Sequence, residues 1–253
     1  MEYDGARYCG WQSQCGVLTV QDAVEKAIGQ VANHSLRVVV AGRTDTHVHA
    51  TGQIFHFDSS SVRTPFNWLR GTNTLLPDGI AIHWIQPVDS YFHARFAAVR
   101  RRYRYIICNQ KVKPAIFNHL ATWEHRLLNI EPMIAASRCL LGRHDFSAYR
   151  AVACQSKNPV KHLYKIDISR QDNWIWIDLE ADGFLHHMVR NIAGVLMAIG
   201  AGERPVGWCE EVLASGDRRA GGVTARPNGL YLTGVDYPRE YGLPATPTAP
   251  GFW

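Results

Sequence analysis

Residues 36–50 read LRVVVAGRTDTHVHA, and this segment joins a strand pattern to a polar loop. The run Leu36–Val40 is rich in β-branched residues, which predicts a short buried strand. The loop that follows from Gly42 contains Asp45, two residues after Arg43. A carboxylate at the mouth of a strand, held ionised by a neighbouring cation, is a candidate nucleophile or general base.

Two other interpretations of this loop stay open on the residues alone. Asp and Thr are common in turns, and an Arg–Asp pair can simply fix a loop. In extended backbone, Asp45, His47 and His49 would point to one side and form a metal triad. An H-x-H spacing without further placed ligands is a weak metal signal, and the chain contains no metalloprotease or zinc deaminase signature. We therefore expect no metal.

Helix and strand patterns occur in two rounds, one before about residue 90 and one after about residue 130. The predicted helices cover 19–33 with Thr19 as N-cap, 65–76 with an interruption near Gly71, 131–141 stopped by Gly142, and 185–199, which is apolar nearly all round. The predicted strands cover 36–40, 53–57, 80–85, 100–108, a hairpin of 160–169 and 174–180, and 229–235.

This pattern predicts an α+β fold of two similar halves. Each half would hold a mostly antiparallel, mixed sheet flanked by helices, and the two halves would face each other. The predicted boundaries are 1–98 for the N-terminal half with Asp45 and 99–237 for the C-terminal half. A proline-rich tail, 238–253, is expected to be extended and mobile.

Composition narrows the class of protein. The 253 residues are 46% hydrophobic and 19% charged, which excludes wholesale disorder. None of the six cysteines forms a C-x-x-C pair, so we expect free thiols in a reducing compartment. The sequence shows neither a bilayer-spanning apolar run nor a signal-peptide pattern, and the expected location is the cytoplasm. A phosphate-binding loop and a dinucleotide fingerprint are both missing, so a nucleotide cofactor loses support.

The formal net charge of +5 is unevenly distributed. Two windows contain no acidic residue, one between Asp89 and Glu124 and one from Phe146 to Ile166. In the first window seven basic residues alternate with aromatic ones, as in RRRYRY at 100–105. Basic residues spaced along strands with aromatics between them suit a nucleic acid partner, although a solvated strand face is the ordinary alternative.

An ordered set of short motifs runs along the chain. It comprises YDG at 3–5, GWQ at 10–12, GRTD at 42–45, VH at 48–49, FHARF at 92–96, RRYRY at 101–105, GRHDF at 142–146, CQS at 154–156, HMVRN at 187–191 and GLYL at 229–232. Each motif is modest alone, but the ordered set resembles the bacterial tRNA pseudouridine synthase A family over essentially the whole chain. That family converts uridines 38, 39 and 40 of the tRNA anticodon stem-loop to pseudouridine, as a homodimer without metal, cofactor or membrane. The resemblance also implies an active-site cleft between the two α+β halves.

The resemblance implies roles for individual residues. Asp45 matches the catalytic aspartate, and Arg43 matches the arginine that pairs with it and fills the space of the flipped base. Tyr103 matches the stacking tyrosine, and Leu230 matches an apolar residue of the uracil pocket. The residues that match RNA contacts are Arg63, Phe92, His93, Ala94, Arg95, Phe96, Lys111, Ala153, Cys154, Gln155, Ser156 and Lys157.

The chain departs from the family pattern at two places. The family has two very small residues after the aspartate, whereas this chain has Thr46-His47. A positive φ at the second position would be tolerated by His at a cost of about 1 kcal/mol. The chain also starts at the YDG motif, whereas relatives carry a preceding strand. Either the start of the chain is assigned too late or the first strand is truncated, and the second case predicts an exposed sheet edge.

Three rival functions follow from these features. The first is a pseudouridine synthase acting on another RNA. The second is an RNA-binding protein that has lost catalysis through the Thr46-His47 change. The third is a metal hydrolase built on Asp45, His47 and His49, which predicts stoichiometric metal.

Overall fold

The structure is a computed structural model that describes residues 1–244. The helices in this range are α1 (Val20–Ala32), α2 (Pro65–Leu75), α3 (Ile130–Ser137), α4 (Met188–Gly200) and α5 (Trp208–Ser215). The strands are β1 (Glu2–Tyr3), β2 (Val38–Val40), β3 (His49–Ala50), β4 (Phe55–Phe57), β5 (Ile80–Ala81), β6 (Arg100–Asn109), β7 (Thr122–Glu124), β8 (Gly142–Asp145), β9 (Val160–Gln171), β10 (Trp174–Ala181) and β11 (Leu230–Asp236). The fold is α+β with mostly antiparallel sheets flanked by helices, as predicted.

The chain divides into two compact units. Within the described residues, the first unit comprises Met1–Val99 together with 231–244, and the second comprises Arg100–Leu230. The predicted boundary between 98 and 99 lies close to the observed one. The predicted end of the C-terminal half at 237 does not match, because β11 pairs with β3 and so returns to the first unit.

The first unit contains two sheets. In the larger sheet the strand order is β5-β1-β3-β11, with antiparallel pairing of β1 to both neighbours and parallel pairing of β11 to β3. Strand β1 therefore has a paired neighbour on each side and is not a sheet edge. The smaller sheet pairs β2 with β4 in antiparallel orientation.

The helices of the first unit follow their sequence signals with one exception. The Thr19 side chain caps α1 by accepting a hydrogen bond from Asp22 N–H, and Asn33 ends the helix in the left-handed conformation. Helix α2, however, is not interrupted at Gly71. A Cβ at Gly71 would lie 3.1 Å from Val31 Cγ2, so this glycine allows close packing against α1 instead of breaking the helix.

The second unit is built on an antiparallel sheet. The strand order is β6-β10-β9-β8, and β7 adds in parallel on the other side of β6. The predicted hairpin is confirmed as β9 and β10, and its turn holds Asp172 at φ 51°. Helix α4 is largely buried and packs against α3, where the missing side chain at Gly200 leaves room for Met133.

Several boundaries differ from the sequence-based expectation. The predicted helix 131–141 ends at Ser137 and continues as a 3₁₀ turn, and Gly142 adopts φ 97° at the start of β8. The predicted strand 80–85 shortens to β5, and α5 was not predicted at all.

The described part of the predicted tail contains a 3₁₀ turn and packs on the first unit, so the prediction of an extended segment is wrong there. Arg239–Tyr241 forms a 3₁₀ turn, and the Tyr241 ring meets Phe92 edge-on at 5.1 Å. The remainder of the predicted tail, 245–253, lies outside the described residues. Within residues 1–244, no helix combines the length and the apolar character needed to cross a bilayer.

Candidate active site and RNA-binding surface

Asp45 begins a tight turn that directly follows the buried β2 region. Val48 N–H donates to the Asp45 carbonyl at 3.1 Å, which closes the four-residue Asp45 turn, Asp45–Val48. His47 is its third residue and has φ 63°, as in a type II turn. This backbone is turned and not extended. The predicted placement of Asp45, His47 and His49 on one side of an extended segment is therefore wrong.

A buried polar network holds the residues just before the turn. The Tyr3 hydroxyl lies 2.8 Å from Thr44 Oγ1, and Gln53 Nε2 donates to the Gly42 carbonyl at 2.8 Å. Trp11 N–H donates to the Thr44 carbonyl at 3.0 Å. Burial raises the pKa of the Tyr3 phenol to about 12, so the hydroxyl keeps its proton. The backbone leading to Asp45 is therefore fixed on three sides.

Two glycines let the N-terminal segment approach the turn closely. A Cβ at Gly5 would lie 2.0 Å from the Val48 carbonyl oxygen, and a Cβ at Gly10 would lie 2.7 Å from the Thr44 carbonyl oxygen. Gly10 also has φ 85°, which side chains other than glycine rarely adopt. These contacts give a physical reason for glycine in the YDG and GWQ motifs.

His49 is a structural residue of β3. Its side chain is 1% exposed and stacks on Tyr231 with ring centroids 4.6 Å apart. Gly5 N–H donates to His49 Nδ1 at 3.1 Å, and Asp4 Oδ1 lies 3.1 Å from the same nitrogen. The interaction with the His49 ring lowers the pKa of the Asp4 carboxyl below its usual value, although partial burial opposes the shift. His49 therefore supports the strand beneath the turn.

Arg43 and Asp45 differ in exposure. The Asp45 side chain is half-buried, whereas Arg43 is exposed. Among residues 1–244, Arg43 forms no ion pair with Asp45, so the predicted pairing is not present in this structure. An exposed guanidinium next to the Asp45 turn is available to a polyanionic ligand.

The other two predicted substrate-binding residues belong to the second unit. Tyr103 lies half-buried in β6, opposite Leu179 of β10, and its ring meets Phe184 edge-on at 4.9 Å. Leu230 is buried where the last 3₁₀ turn of the unit passes into β11. Tyr103 thus presents a supported ring, and Leu230 presents an apolar surface.

Two arginines of the basic strand β6 are paired with carboxylates of the neighbouring strand β10. Arg104 forms a two-pronged ion pair with Asp178 of β10, with both N–O distances at 2.7 Å. Arg100 pairs with Glu180 at 2.5 Å. The first acid-free window is acid-free only along the chain, because β10 brings carboxylates beside it. These arginines therefore contribute to strand pairing, which reduces their value as an RNA-binding signal.

The predicted RNA-binding motif FHARF contains both buried and exposed residues. Phe92 and Ala94 are buried, and the Tyr237 hydroxyl donates to the Ala94 carbonyl at 2.6 Å. Phe96 is 76% exposed and stacks on His93 at 4.3 Å. The Arg95 guanidinium lies 5.6 Å from the centre of the Phe96 ring. His93, Arg95 and Phe96 form the aromatic platform, a surface suited to stacking an RNA base.

The remaining predicted RNA contacts are surface residues. Arg63, Phe92 and His93 line one cavity of about 650 Å³ in the first unit. Lys111 is exposed, and so are Ala153, Gln155 and Lys157, while Cys154 and Ser156 are partly covered. The structure therefore brings Arg63 together with the aromatic platform, and it places Lys111 and the loop 153–157 on the second unit.

Sequence reasoning missed the roles of several residues in the first unit. Tyr3 and Gln53 contact the loop from 41 and 11 residues away in sequence, and such contacts leave no local pattern. His56 was also missed, although its Nδ1 accepts a hydrogen bond from Ala94 N–H at 3.1 Å. The FHARF motif, which contains Ala94, was the sequence feature nearest to this hydrogen bond.

Comparison with known proteins identifies the class of enzyme to which this chain belongs. The chain belongs to the tRNA pseudouridine synthase family, whose family model matches residues 1–97 and 136–238. The match includes the Asp45 turn, the aromatic platform and the loop 153–157.

Individual relatives carry a more specific name. A protein of Nitrosococcus oceani named tRNA pseudouridine synthase A is 53% identical over 244 residues, which cover 96% of this chain and 94% of that protein. The protein of the same name from Pseudomonas aeruginosa is 50% identical over 253 residues, with 100% and 89% coverage. The one from Shewanella denitrificans is 46% identical over 252 residues, with 100% and 97% coverage.

Proposed function

We propose that this chain isomerises uridines 38, 39 and 40 of the tRNA anticodon stem-loop to pseudouridine, with Asp45 as the catalytic carboxylate. The family is that of isomerases acting on uridine in tRNA. The observation that carries the role of Asp45 is its place on a closed turn, half-buried and anchored from three sides. A carboxylate held in this way loses little orientational freedom when the substrate binds.

The reaction explains why a fixed carboxylate is needed. The N1–C1′ glycosidic bond breaks, the uracil turns, and a C5–C1′ bond forms in its place. The C5 hydrogen is then lost as a proton, and N1 gains one, so the product is an isomer of uridine. The Asp45 carboxylate either attacks C1′ or removes the C2′ proton, and both roles require it at the ribose.

The target base must leave the helix stack before Asp45 can reach the sugar. Flipping a nucleotide costs a few kcal/mol, which stacking and space-filling side chains offset. We assign the exposed Arg43 to fill the space of the flipped base. Tyr103 stacks on the uracil and lies by the C5 proton, and Leu230 lines the pocket. Each of these assignments rests on the resemblance of the sequence motifs to those of the family.

The remaining predicted residues bind the tRNA away from the reacting base. The aromatic platform supplies a stacking ring and a guanidinium, and Arg63 lies on the same cavity as His93. Lys111 and the loop Ala153–Lys157 supply contacts to the phosphate backbone. Phe92 and Ala94 act from within, because they hold the platform in place while staying buried.

The test is tritium release from a tRNA carrying [5-³H]uridine in the anticodon stem-loop, measured in EDTA. The wild type should release tritium. The variant Asp45→Asn should lose turnover by at least about 10²–10⁴-fold, because an amide neither attacks nor takes a proton. Its tRNA affinity, measured by filter binding, should stay within a few-fold of wild type, because Asn keeps the size of the side chain.

Other outcomes would favour the rival functions. Comparable tritium release by Asp45→Asn would contradict the catalytic assignment. Binding without release by the wild type would favour an RNA-binding protein that has lost catalysis. Release from another RNA in a substrate panel, but not from tRNA, would favour a different substrate. Loss of tritium release in EDTA, with recovery when metal is added, would favour a metal-dependent enzyme.

We also propose that the enzyme is cytoplasmic and homodimeric. All six cysteines are free thiols, which suits a reducing compartment. The homodimer rests on the family resemblance alone. Light scattering on the purified protein should give about twice the 28.5 kDa chain mass, and a monomer mass would contradict the proposal.

A further inference from the structure

His47 occupies an unusual place on the catalytic turn. It lies two residues after Asp45 and adopts φ 63°, a conformation that glycine takes freely and other residues take at a cost. Its side chain is nevertheless exposed, so the ring is not retained to fill the core. A strained, exposed side chain beside a catalytic carboxylate points to a function.

The ring is held in a defined orientation. His47 Nδ1 lies 2.8 Å from the Ala6 carbonyl oxygen, and the His47 backbone N–H donates to the Tyr8 carbonyl at 3.3 Å. Because a carbonyl oxygen only accepts, Nδ1 must carry the proton in this contact. Nε2 makes no hydrogen bond to any residue between 1 and 244. The ring is therefore fixed at one nitrogen and available at the other.

The surroundings of the ring favour an anionic partner. Arg7 lies between Ala6 and Tyr8, the two residues that hold His47, and it is exposed. Arg43, on the other side of Asp45 along the chain, is exposed as well. Two guanidinium groups on the backbone segments around the turn suit a ribose–phosphate chain.

We propose that His47 is a substrate-binding residue that contacts the RNA backbone next to the target uridine through Nε2. This inference rests on the proposed function. A flipped nucleotide stays joined to its neighbours, so the RNA backbone must pass the turn whose first residue reaches the target sugar. His47 is in the same turn. In the neutral ring Nε2 accepts from a ribose 2′-hydroxyl, and in the protonated ring it donates to a phosphate oxygen.

The first experiment measures affinity for an anticodon stem-loop RNA in the Asp45→Asn background, where the uridine is not consumed. Adding His47→Gly should raise Kd about five- to tenfold, the loss of one hydrogen bond. Glycine suits φ 63°, so folding should be retained. His47→Asn, which also tolerates this conformation, is the second variant if the first does not fold. The matched control is Asn33→Gly, another exposed residue at positive φ (59°) in the first unit, and its Kd should stay within about twofold.

The second experiment identifies the RNA atom by a double-mutant cycle. One RNA carries a methylphosphonate at the phosphate after the target, and the other carries a 2′-deoxy sugar at the same step. One of the two modifications should weaken binding when His47 is present and have little effect in His47→Gly. The identity of that modification distinguishes phosphate from 2′-hydroxyl.

Two results would overturn the inference. In the first, His47→Gly binds the unmodified RNA as tightly as its parent. In the second, both modified RNAs lose affinity equally with and without His47. Tritium release by the wild type tests the proposed function separately, so an active enzyme with an unaffected His47→Gly variant would reject this inference alone.

Discussion

At the scale of single residues, comparing Gly10 with Gly16 distinguishes the cost of a strained backbone from the cost of a steric clash. Gly10 and Gly16 have similar conformations, with φ 85° and 77°. A Cβ at Gly10 would lie 2.7 Å from the Thr44 carbonyl oxygen and 3.0 Å from the Asp45 carbonyl carbon, whereas a Cβ at Gly16 would meet nothing within 4 Å. An alanine at either position carries the same kind of strain, but only an alanine at position 10 disturbs the Asp45 turn.

We therefore expect Gly10→Ala and Gly16→Ala to differ in catalysis more than in stability. Strain alone costs about 1–2 kcal/mol at either site. Gly10→Ala should in addition displace Asp45 and lower kcat for tritium release by at least about tenfold, because a small misplacement of a catalytic group is costly. Gly16→Ala should keep kcat within about twofold. Equal kcat values for the two variants would show that the approach of Gly10 does not position Asp45.

At the scale of elements, two histidines hold the motif that presents the aromatic platform. His56 of β4 accepts a hydrogen bond from Ala94 N–H at its Nδ1, and His93 accepts from the N–H groups of Arg95 and Phe96. The two rings are 5.1 Å apart. Burial lowers the pKa of His56, and the neighbouring His93 lowers it further. Protonation of His56 is therefore less favourable in the folded protein than in the unfolded chain.

The sign of the resulting pH effect follows from the direction of that shift. The folded-state pKa of His56 lies below its ordinary value of 6.5, so the unfolded chain binds the proton more readily. The stability that His56 contributes is complete above pH 6.5 and is lost as pH falls through the folded-state value. Urea unfolding at pH 7.5 and pH 5 should show a smaller loss of stability on acidification for His56→Gln than for wild type. An equal loss in both would contradict the assignment.

At the scale of the whole molecule, short-range patterns were predictable from the sequence and long-range partners were not. The cap at Thr19, the β9–β10 hairpin and the turn at Asp45 depend on neighbouring residues, and all three are present. The positive φ at His47 agrees with the small residue that the family pattern has at this position. Local side-chain chemistry decides these features, so one sequence suffices to find them.

The features that were missed depend on residues far apart in the chain. Arg104 reads as a free cation until Asp178, 74 residues later, lies beside it. Strand β11 returns to the first unit because it pairs with β3, and no local signal announces that pairing. Gly71 reads as a helix breaker until α1 packs against it. In each case a tertiary contact overrides the local preference.

The same distinction between paired and unpaired cations predicts how tRNA binding depends on salt. Lys157 is exposed in the predicted RNA-binding loop and forms no ion pair within residues 1–244, whereas Lys165 of β9 is paired with Asp167 at 2.7 Å. Each lost phosphate contact should reduce the slope of log K against log salt by about 0.7–0.9. Lys157→Gln should therefore weaken tRNA binding at low salt and flatten the slope by about that amount, and Lys165→Gln should leave the slope unchanged. Filter binding of both variants from 50 to 300 mM KCl measures this. The same slope in both variants would mean that the loop 153–157 makes no phosphate contact through Lys157.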